Sequence, residues 1–274
     1  MLNGVSTLIN SEELAKKIRI SAVNMVHKAH ASHIGGALSC ADIIAVLYAN
    51  VMTTFPDDPK SPLRDRFVLS KGHNGVALYA ALAECGFFEK EKLGLYGTNG
   101  SPFSCHISHK KVRGVEISTG SLGQGCGVAC GMALNGKIKN AKYNVYTIIG
   151  DGECNEGSVW EMAMFAQQLS LDNFTVIVDK NNMQAMGNCS EVINMESLSD
   201  KWLSFGWTVI EVEDGNNHEQ LRNAFNKSYN GKPKVIIANT TKGKGVSFME
   251  NQIIWHYRDP QGDDYIRAMK ELDK

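Results

Sequence analysis

The sequence predicts an α/β fold in which a mostly parallel central sheet is covered by helices on both faces. Apolar runs rich in β-branched residues, such as YNVYTII (143–149) and FTVIVD (174–179), alternate with segments of helical periodicity. Strands separated by helices form βαβ units, whose strands lie parallel. Because no repeat, low-complexity stretch or linker interrupts the alternation, residues 1–274 are expected to form a single domain.

The first part of the chain is predicted to be mainly helical. SEELAKKIRISAVNMVHKAH (11–30) has apolar residues at helical spacing, with Ser11 as the N-cap. LSCADIIAVLYANVM (38–52) is a second helix, capped by Ser39. Two further elements are predicted here: a strand at 65–70 and a helix at 74–86.

A glycine-rich helix is predicted at 120–136, in GSLGQGCGVACGMALNG. Each glycine in a helix costs about 1 kcal/mol relative to alanine, so another backbone or a ligand is expected to approach closely. Cys126 and Cys130 are expected to be small buried thiols on this helix. The later predicted elements are the strand 143–149, helix 156–170, strand 174–179, strand 207–215, helix 218–230 and strand 232–245.

The composition excludes several classes of protein. Lysine plus arginine (28) balances aspartate plus glutamate (29), so no basic excess favours nucleic acid. No apolar run approaches the roughly 20 residues of a membrane span, and the N-terminus lacks the features of a signal peptide. Seven cysteines without a paired framework indicate reduced thiols. We therefore expect a cytoplasmic protein that binds neither nucleic acid nor membrane.

Polar residues follow the two central strands where each strand ends. Asp151 leaves the first strand and Asn181, 30 residues later, leaves the second. A single-helix crossover brings the carboxyl ends of both strands to one edge, where ligands of open α/β sheets bind. A carboxylate and an amide oxygen suit Mg²⁺ or Ca²⁺ rather than zinc. Gly150 and Gly152 would let a phosphate approach the main chain, and the helix beginning near Glu156 offers free N–H groups. A Gly-Asp-Gly alone is equally consistent with a tight turn, but the second strand end favours a metal and diphosphate site.

These residues resemble a known motif. GDGECNEG…VDKNN (150–182) is similar to the diphosphate-binding motif of thiamine-diphosphate enzymes. Three other segments resemble the N-terminal, diphosphate-binding region of transketolases: DRFVLSKGHNGVALYAALAECGFF, GVEISTGSLGQGCGVACGMAL and TTKGKGVSFMENQIIWH. The resemblance covers about residues 12 to 260, and it implies the thiamine-diphosphate-binding fold with thiamine diphosphate and Mg²⁺ as cofactors, where Ca²⁺ or Mn²⁺ can substitute.

The resemblance also implies roles for single residues. Asp151, Asn181 and the backbone carbonyl of Met183 match the metal ligands, and Gly152 matches the residue whose N–H meets the diphosphate. Further matches are Gly120 and Leu122, near the aminopyrimidine ring, and Glu156, which would face its symmetry mate across a dimer interface.

Four histidines match the family's. His33, His106 and His256 are the candidates for catalysis, with His256 also near the cofactor, and His73 lies toward the diphosphate. Their surroundings depart from the family pattern: Ser32 replaces a glycine, Cys105 and Ile107 replace both neighbours in G-H-P, and Tyr257 replaces a glycine. Imidazoles can take a proton from a ketose hydroxyl and return one to an aldehyde.

Several assignments stay open at the level of sequence. His109 competes with His106 for the substrate contact. His27, His30 and His218 are interpreted as polar groups without a catalytic role. Lys242 and Lys244 are interpreted first as a solvated basic turn, and alternatively as cations near the diphosphate or a substrate phosphate.

The resemblance also implies a second polypeptide. Transketolases activate the cofactor with a glutamate from a pyrimidine-binding domain, and that domain does not occur in residues 1–274. We therefore expect an N-terminal subunit that is active only with a C-terminal subunit carrying this domain and its catalytic glutamate, as a heterotetramer of two of each. The predicted reaction transfers a two-carbon ketol unit between sugar phosphates.

Two alternative functions stay open, and a third is ranked well below them. The chain could serve a specialised transketolase for a sulfo-sugar or branched-sugar phosphate, or it could be a non-catalytic, regulatory thiamine-diphosphate-binding relative. The 2-oxo acid dehydrogenases share the Gly-Asp-Gly…Asn pattern, but their chains do not resemble the SKGH (70–73) and STGSLGQG (118–125) segments.

Overall fold

The structure is a computed structural model that describes residues 10–227 and 231–274. The expectations for residues 1–9, which concern a signal peptide and the start of the domain, lie outside the described residues. So does the end of the helix predicted at 218–230. None of the helices in the described ranges combines the length and apolar character that crossing a membrane requires.

The order of elements follows the predicted alternation. The helices are α1 (Ser11–Ala29), α2 (Ile34–Ser39), α3 (Ala41–Val46), α4 (Gly75–Glu84), α5 (Gln124–Ile138), α6 (Gly157–Gln168), α7 (Cys189–Val192), α8 (Leu198–Ser204), α9 (His218–Asn226) and α10 (Asp263–Leu272). The strands are β1 (Arg66–Leu69), β2 (Val145–Gly150), β3 (Phe174–Lys180), β4 (Thr208–Val212) and β5 (Lys234–Asn239). Single turns of 3₁₀-helix cover Gly72–Asn74, Gly152–Asn155 and Ile253–His256, a longer one covers Lys90–Leu95, and a π-helix covers Leu47–Val51.

Within the described residues, the strands form one parallel sheet in the order β1-β2-β3-β5-β4. Strands β2 and β3 are hydrogen-bonded neighbours joined through α6, and Gly150 lies opposite Asp179 in their register. Asp151 and Asn181 therefore leave adjacent strands at the same edge. The predicted α/β class is confirmed, and so is the prediction that both strand ends lie on one edge of the sheet.

Alternation along the strands divides the core between the two faces of the sheet. Ile148, Ile177 and Ile236 pack with α1, α3 and α4 on one face. Their neighbours Ile149 and Val178 pack with α5, α6 and α8 on the other. Both faces are buried, as expected for a parallel sheet. Cys126 and Cys130 are buried free thiols on α5, as predicted.

Two predicted helix starts are wrong. The N-cap of α1 is Asn10, whose side chain accepts the N–H of Glu13 at 3.0 Å, while the Ser11 hydroxyl bonds with His218. The chain is already helical at Ile34, and it breaks at Cys40 rather than starting at Ser39. Local sequence could not show this, because the Ser39 hydroxyl is turned to Asp179 by a tertiary contact of 2.6 Å.

Candidate active site

A cleft of about 260 Å³ opens at the carboxyl edge of the sheet, where the segments after β1, β2, β3 and β5 converge. Every site residue predicted from sequence lines it except Glu156, which is exposed at the N-cap of α6. The predicted residues in the lining are His33, His73, His106, Gly120, Leu122, Gly150, Asp151, Gly152, Asn181, Met183 and His256. The structure thus brings together groups that lie more than 200 residues apart in sequence.

The predicted metal ligands lie at one corner of this cleft. The carboxylate of Asp151 accepts the N–H groups of Gly152 at 2.8 Å and Asn182 at 2.5 Å. The amide oxygen of Asn181 accepts the N–H of Met183 at 3.2 Å, so the loop after β3 curls around Asp151. Burial, followed by the nearby charge of Asp179, raises the pKa of Asp151 to about 6. A buried carboxylate whose pKa is raised in this way would gain a balancing charge from a bound cation.

The donors at this corner have the chemistry of a magnesium site. Within residues 10–227 and 231–274, no three His, Cys, Asp or Glu side chains are grouped to hold a metal. The predicted site instead combines a carboxylate, an amide oxygen and a backbone carbonyl, which are hard oxygen donors. The residues present therefore fit Mg²⁺ with further ligands from water and phosphate. Their roles as ligands stay a prediction.

Asp179 lies next to the corner of the cleft formed by the predicted metal ligands Asp151, Asn181 and Met183, which is called the metal corner below. Sequence analysis did not identify Asp179 as part of the site. It lies inside β3 and is fully buried. Lys71 and Thr240 donate very short hydrogen bonds to its carboxylate, and Ser39 donates one of 2.6 Å. The amide nitrogen of Asn181 also donates to it, at 3.3 Å. That bond turns the oxygen of Asn181 away from Asp179 and toward the metal corner.

Two lysines bring positive charge to the cleft. Burial, the largest single effect, lowers the pKa of Lys71, but Asp179 together with Cys40 and Asp151 raises it above its usual value. Lys242 is 2% exposed, and its ammonium lies 3.3 Å from the carbonyl of Met183. Burial lowers its pKa to about 8. The interpretation of Lys242 as a solvated turn is therefore wrong; Lys244 is half-exposed and is not part of the lining.

Two buried polar atoms in the lining have no hydrogen-bond partner among the described residues. They are the amide oxygen of Asn74 and the amide nitrogen of Gln184. Gln184 lies against Gly152, where an added Cβ would meet its Cγ at 2.8 Å. Buried polar groups are normally paired. The unpaired amide N–H of Gln184 lies beside Gly152, which has no side chain, and near buried Lys242. This arrangement suits a ligand that accepts hydrogen bonds, such as a diphosphate.

The four predicted histidines form one cluster. The ring of His33 is central, with centroid distances of 4.9 Å to His256, 5.1 Å to His73 and 5.6 Å to His106. His106 also packs on Gly120, where an added Cβ would lie 3.3 Å from the ring. The competing residue, His109, lies outside the lining and bonds to Ser118 at 2.8 Å. The geometry favours His106 over His109 for the substrate contact.

The remaining histidines are satisfied elsewhere. His218 is buried between Ser11 and Asp42, and His30 pairs with Asp259. His27 stacks on Tyr265 at 3.8 Å. These positions agree with the interpretation that none of the three is catalytic.

Three of the clustered histidines, His33, His73 and His256, are uncharged at neutral pH. Burial, followed by neighbouring cationic groups, lowers the pKa of His33 and of His256 to about 4. Burial and then Lys71 lower the pKa of His73 to about 2. A neutral imidazole accepts a hydrogen bond at one nitrogen and donates at the other. The cluster can therefore exchange hydrogen bonds with sugar hydroxyls without adding charge to the cleft.

These pKa values predict how the stability of the cofactor-free chain depends on pH. The unfolded histidines have pKa values near 6.5, above the folded values, so acid protonates the unfolded chain first. We expect the free energy of unfolding to fall as pH drops from about 6.5 toward 4. Replacing His73 by glutamine should make this decline shallower, as measured by urea unfolding at several pH values. The control Gln168→Ala changes an exposed residue on α6 that does not titrate and should leave the slope unchanged. An equal effect of both variants would contradict the assignment.

Sequence comparisons show the family to which the chain belongs. Residues 10–272 match the family described as transketolase, thiamine diphosphate binding domain. One of the subunits of an apulose-4-phosphate transketolase from Phocaeicola vulgatus is 42% identical over 95% of this chain and 92% of that protein. The 6-deoxy-6-sulfo-D-fructose transketolase subunit SqwG of a Clostridium species is 41% identical over 97% of both chains.

Solved structures show the same fold within longer chains. Transketolase from Leishmania mexicana superposes with a TM-score of 0.91 at 30% identity, covering 97% of this chain but 42% of that one. Transketolase from Campylobacter jejuni gives 0.90 at 30% identity, covering 96% and 42%. This chain thus spans about two fifths of the length of the solved transketolases it matches.

The chain belongs to the family of transketolase thiamine diphosphate binding domains. The relatives at 42% and 41% identity, which it covers over more than nine tenths of their length, are named as transketolase subunits. More particularly, it is an N-terminal transketolase subunit.

Proposed function

We propose that this subunit forms half of a thiamine-diphosphate- and Mg²⁺-dependent enzyme that transfers a two-carbon ketol unit from a ketose donor to an aldose acceptor. The observation that carries the proposal is the convergence in one cleft of hard oxygen donors, buried lysines and four clustered histidines. Each group suits a different part of the reaction.

The metal corner and the lysines would hold the diphosphate end of the cofactor. Asp151, Asn181 and the carbonyl of Met183 would bind Mg²⁺, with Ca²⁺ or Mn²⁺ able to substitute. The N–H of Gly152 donates to Asp151 in this structure and would turn to a phosphate oxygen once that carboxylate binds the metal; glycine has no side chain to obstruct the approach of the phosphate. Lys242, buried beside Met183, would balance the phosphate charge, and the unpaired amide of Gln184 would gain an acceptor.

The histidines would act on the sugar. Bound thiamine diphosphate supplies the nucleophilic carbon and the electron sink for breaking and forming the carbon–carbon bond. His33 and His256 would take the proton from the donor's reacting hydroxyl and return one to the oxygen of the acceptor aldehyde. His106 would bind the donor's first hydroxyls, and His73 would face the diphosphate. Their mutual distances let one sugar contact several rings.

The other half of the site would come from a second polypeptide. We propose a C-terminal subunit with the pyrimidine-binding domain and the glutamate that activates the cofactor, assembled as a heterotetramer of two of each. Two relatives are named as subunits of transketolases, which supports a two-chain enzyme. Exposed Glu156, at the start of α6, is proposed to meet its counterpart between the two copies.

A modified sugar is a second candidate for the substrate. The relatives named for apulose 4-phosphate and for 6-deoxy-6-sulfo-D-fructose are both more than 40% identical to this chain. Tyr257, where the family has glycine, donates a hydrogen bond of 2.8 Å to the carbonyl of Ala185 in the cleft lining. A branched-sugar phosphate or a sulfo-sugar is therefore included in the test.

The proposal predicts activity that depends on the partner. The chain alone should show no ketol transfer, and a mixture with the C-terminal subunit should transfer a two-carbon unit from an unmodified, a branched or a sulfonated ketose to an aldose. Product formation is followed by mass spectrometry. The control is a partner in which the catalytic glutamate is replaced by glutamine.

Two outcomes would contradict the proposal. Turnover by the chain alone would remove the need for a second polypeptide. A correctly assembled pair that binds thiamine diphosphate but transfers nothing from any of the three donor classes would favour a non-catalytic, regulatory role.

A further inference from the structure

One contact in the histidine cluster lies outside the roles assigned so far. The hydroxyl oxygen of Ser32 lies 2.9 Å from Nδ1 of His33. No other hydrogen bond of this hydroxyl occurs among the described residues. Ser32 is half-buried and is not itself part of the cleft lining, so its side chain reaches the site only through the imidazole ring.

The backbone of His33 is held on both sides. Its N–H donates to the carbonyl of His256 at 2.9 Å, and its carbonyl accepts from the amide of Asn74 at 3.2 Å. Its φ of +72° lies in the left-handed region, which a non-glycine residue occupies only where its surroundings require it. With the backbone fixed, the ring can turn only about the side-chain bonds. The Ser32 contact restricts that remaining freedom.

The two ring nitrogens of His33 therefore differ. Nδ1 is occupied by Ser32, whereas Nε2 has no hydrogen-bond partner among the described residues. The ring lines the cleft beside His73, His106 and His256. If Nδ1 were released, the ring could flip and present either nitrogen. The bond to Nδ1 leaves Nε2 as the atom for an incoming hydroxyl.

We propose that Ser32 is a positioning residue that holds Nδ1 of His33, so that Nε2 is the nitrogen exchanging a proton with the sugar. This inference rests on the proposed ketol transfer. A proton passes from the donor hydroxyl to Nε2, and Nδ1–H continues to donate to the Ser32 oxygen. The same proton then leaves Nε2 for the oxygen of the acceptor aldehyde, and the ring returns to its starting state.

A hydroxyl is suited to this position. It accepts from Nδ1–H in one neutral tautomer and donates to Nδ1 in the other, whereas a carboxylate can only accept. Serine adds no charge to a cluster that already contains three other imidazoles and two lysines. It therefore orients the ring without adding charge, both when the imidazole is neutral and while it holds the sugar's proton as an imidazolium.

The test replaces Ser32 in the assembled two-subunit enzyme. Ser32→Ala and Ser32→Gly both remove the hydroxyl and should lower kcat about tenfold, the size expected for one hydrogen bond that orients a reacting group. KM and the affinity for thiamine diphosphate should stay within about twofold, because Ser32 touches neither ligand. Ser32→Thr keeps a hydroxyl and should restore kcat.

A matched control exists in the same chain. Ser118 makes an equally short bond, 2.8 Å, to Nδ1 of His109, outside the cleft lining. Ser118→Ala removes a serine–histidine bond of the same kind and should leave kcat unchanged. An equal loss in Ser118→Ala and Ser32→Ala would overturn the inference.

A spectroscopic measurement separates this inference from the proposed function. ¹⁵N NMR of the histidine rings, assigned with His33→Gln, should show the Nδ1 signal of His33 shifting in Ser32→Ala and recovering in Ser32→Thr. This readout needs no turnover, so an inactive enzyme would contradict the proposed function and leave the inference testable. An unshifted Nδ1 signal, or full kcat in both Ser32→Ala and Ser32→Gly, would overturn the inference.

Discussion

Replacing Asp151 by alanine is expected to abolish Mg²⁺-dependent binding of thiamine diphosphate by the assembled enzyme. Asp151 is the carboxylate among the predicted ligands; Asn181 and the Met183 carbonyl are neutral. Without it the metal would face two neutral donors and the phosphate oxygens. We expect the affinity to fall more than about 100-fold, because residues that merely support a metal ligand already contribute 10- to 100-fold. Isothermal titration calorimetry with Mg²⁺ present or removed by a chelator measures the loss.

The loss should not come from unfolding. The pKa of Asp151 is raised to about 6 by burial and by Asp179, which means that its charge is poorly stabilised in the metal-free chain. Asp151→Asn keeps the size of the side chain and removes this charge, so its thermal unfolding should resemble that of the wild type while metal-dependent binding is lost. Asp172→Ala, at an exposed ion pair with Lys137, serves as a surface control. Retained binding in both Asp151 variants would exclude this carboxylate as a ligand.

The location of the predicted metal ligands at one edge of the sheet could be predicted, because it depends on the order of strands and helices along a short stretch of chain. Asp151 follows β2, and α6 and β3 occupy most of the chain between it and Asn181. The crossover rule then brings the ends of β2 and β3 to the same edge of the sheet. The resemblance to transketolases added the backbone carbonyl of Met183, which no pattern of side chains reveals. The same reasoning predicted the parallel sheet and its two buried faces.

The supporting groups were not predictable, because their environment is made by distant segments. Lys242 lies in a glycine-rich segment whose composition indicates a solvated turn, yet it is buried beneath the loop at 183–184. Asp179 appears in the sequence as a polar residue near a strand end, and its partners come from three other parts of the chain. The only available signal was a charged residue inside the strand run FTVIVDK (174–180), since such residues are rarely buried unless paired.

The histidine cluster was predictable in part: its members could be chosen from sequence, but their arrangement could not. The family resemblance selected His33, His73, His106 and His256, but spacing alone could not place them together, because up to 223 residues separate them. The choice between His106 and His109 needed coordinates, since both occur in one irregular loop. Their bonding separates them: His109 is bound to Ser118, whereas His106 packs on Gly120 inside the cleft.

A buried ion pair between Lys71 and Asp179 lies beneath the site. Lys71 is 2% exposed, Asp179 is fully buried, and they form a very short salt bridge. A buried pair can contribute little net stability, yet removing one partner leaves the other charge desolvated and alone. Asp179→Ala would leave the Lys71 ammonium buried without a counter-ion. It would also remove the carboxylate that accepts hydrogen bonds from Ser39 and Thr240. We expect the free energy of unfolding to fall by about 3–5 kcal/mol.

Urea unfolding of the cofactor-free chain, followed by the fluorescence of buried Trp202 and Trp207, measures this loss. The control is Glu196→Gln, which breaks the ion pair of Lys180 with a side chain that is 55% exposed and should cost no more than about 1 kcal/mol. Lys71→Met combined with Asp179→Ala should cost less than the sum of the single changes, because no isolated charge remains. A loss below about 1 kcal/mol in Asp179→Ala would mean that water reaches Lys71, and then Asp179 could not fix the orientation of Asn181 through a dry network.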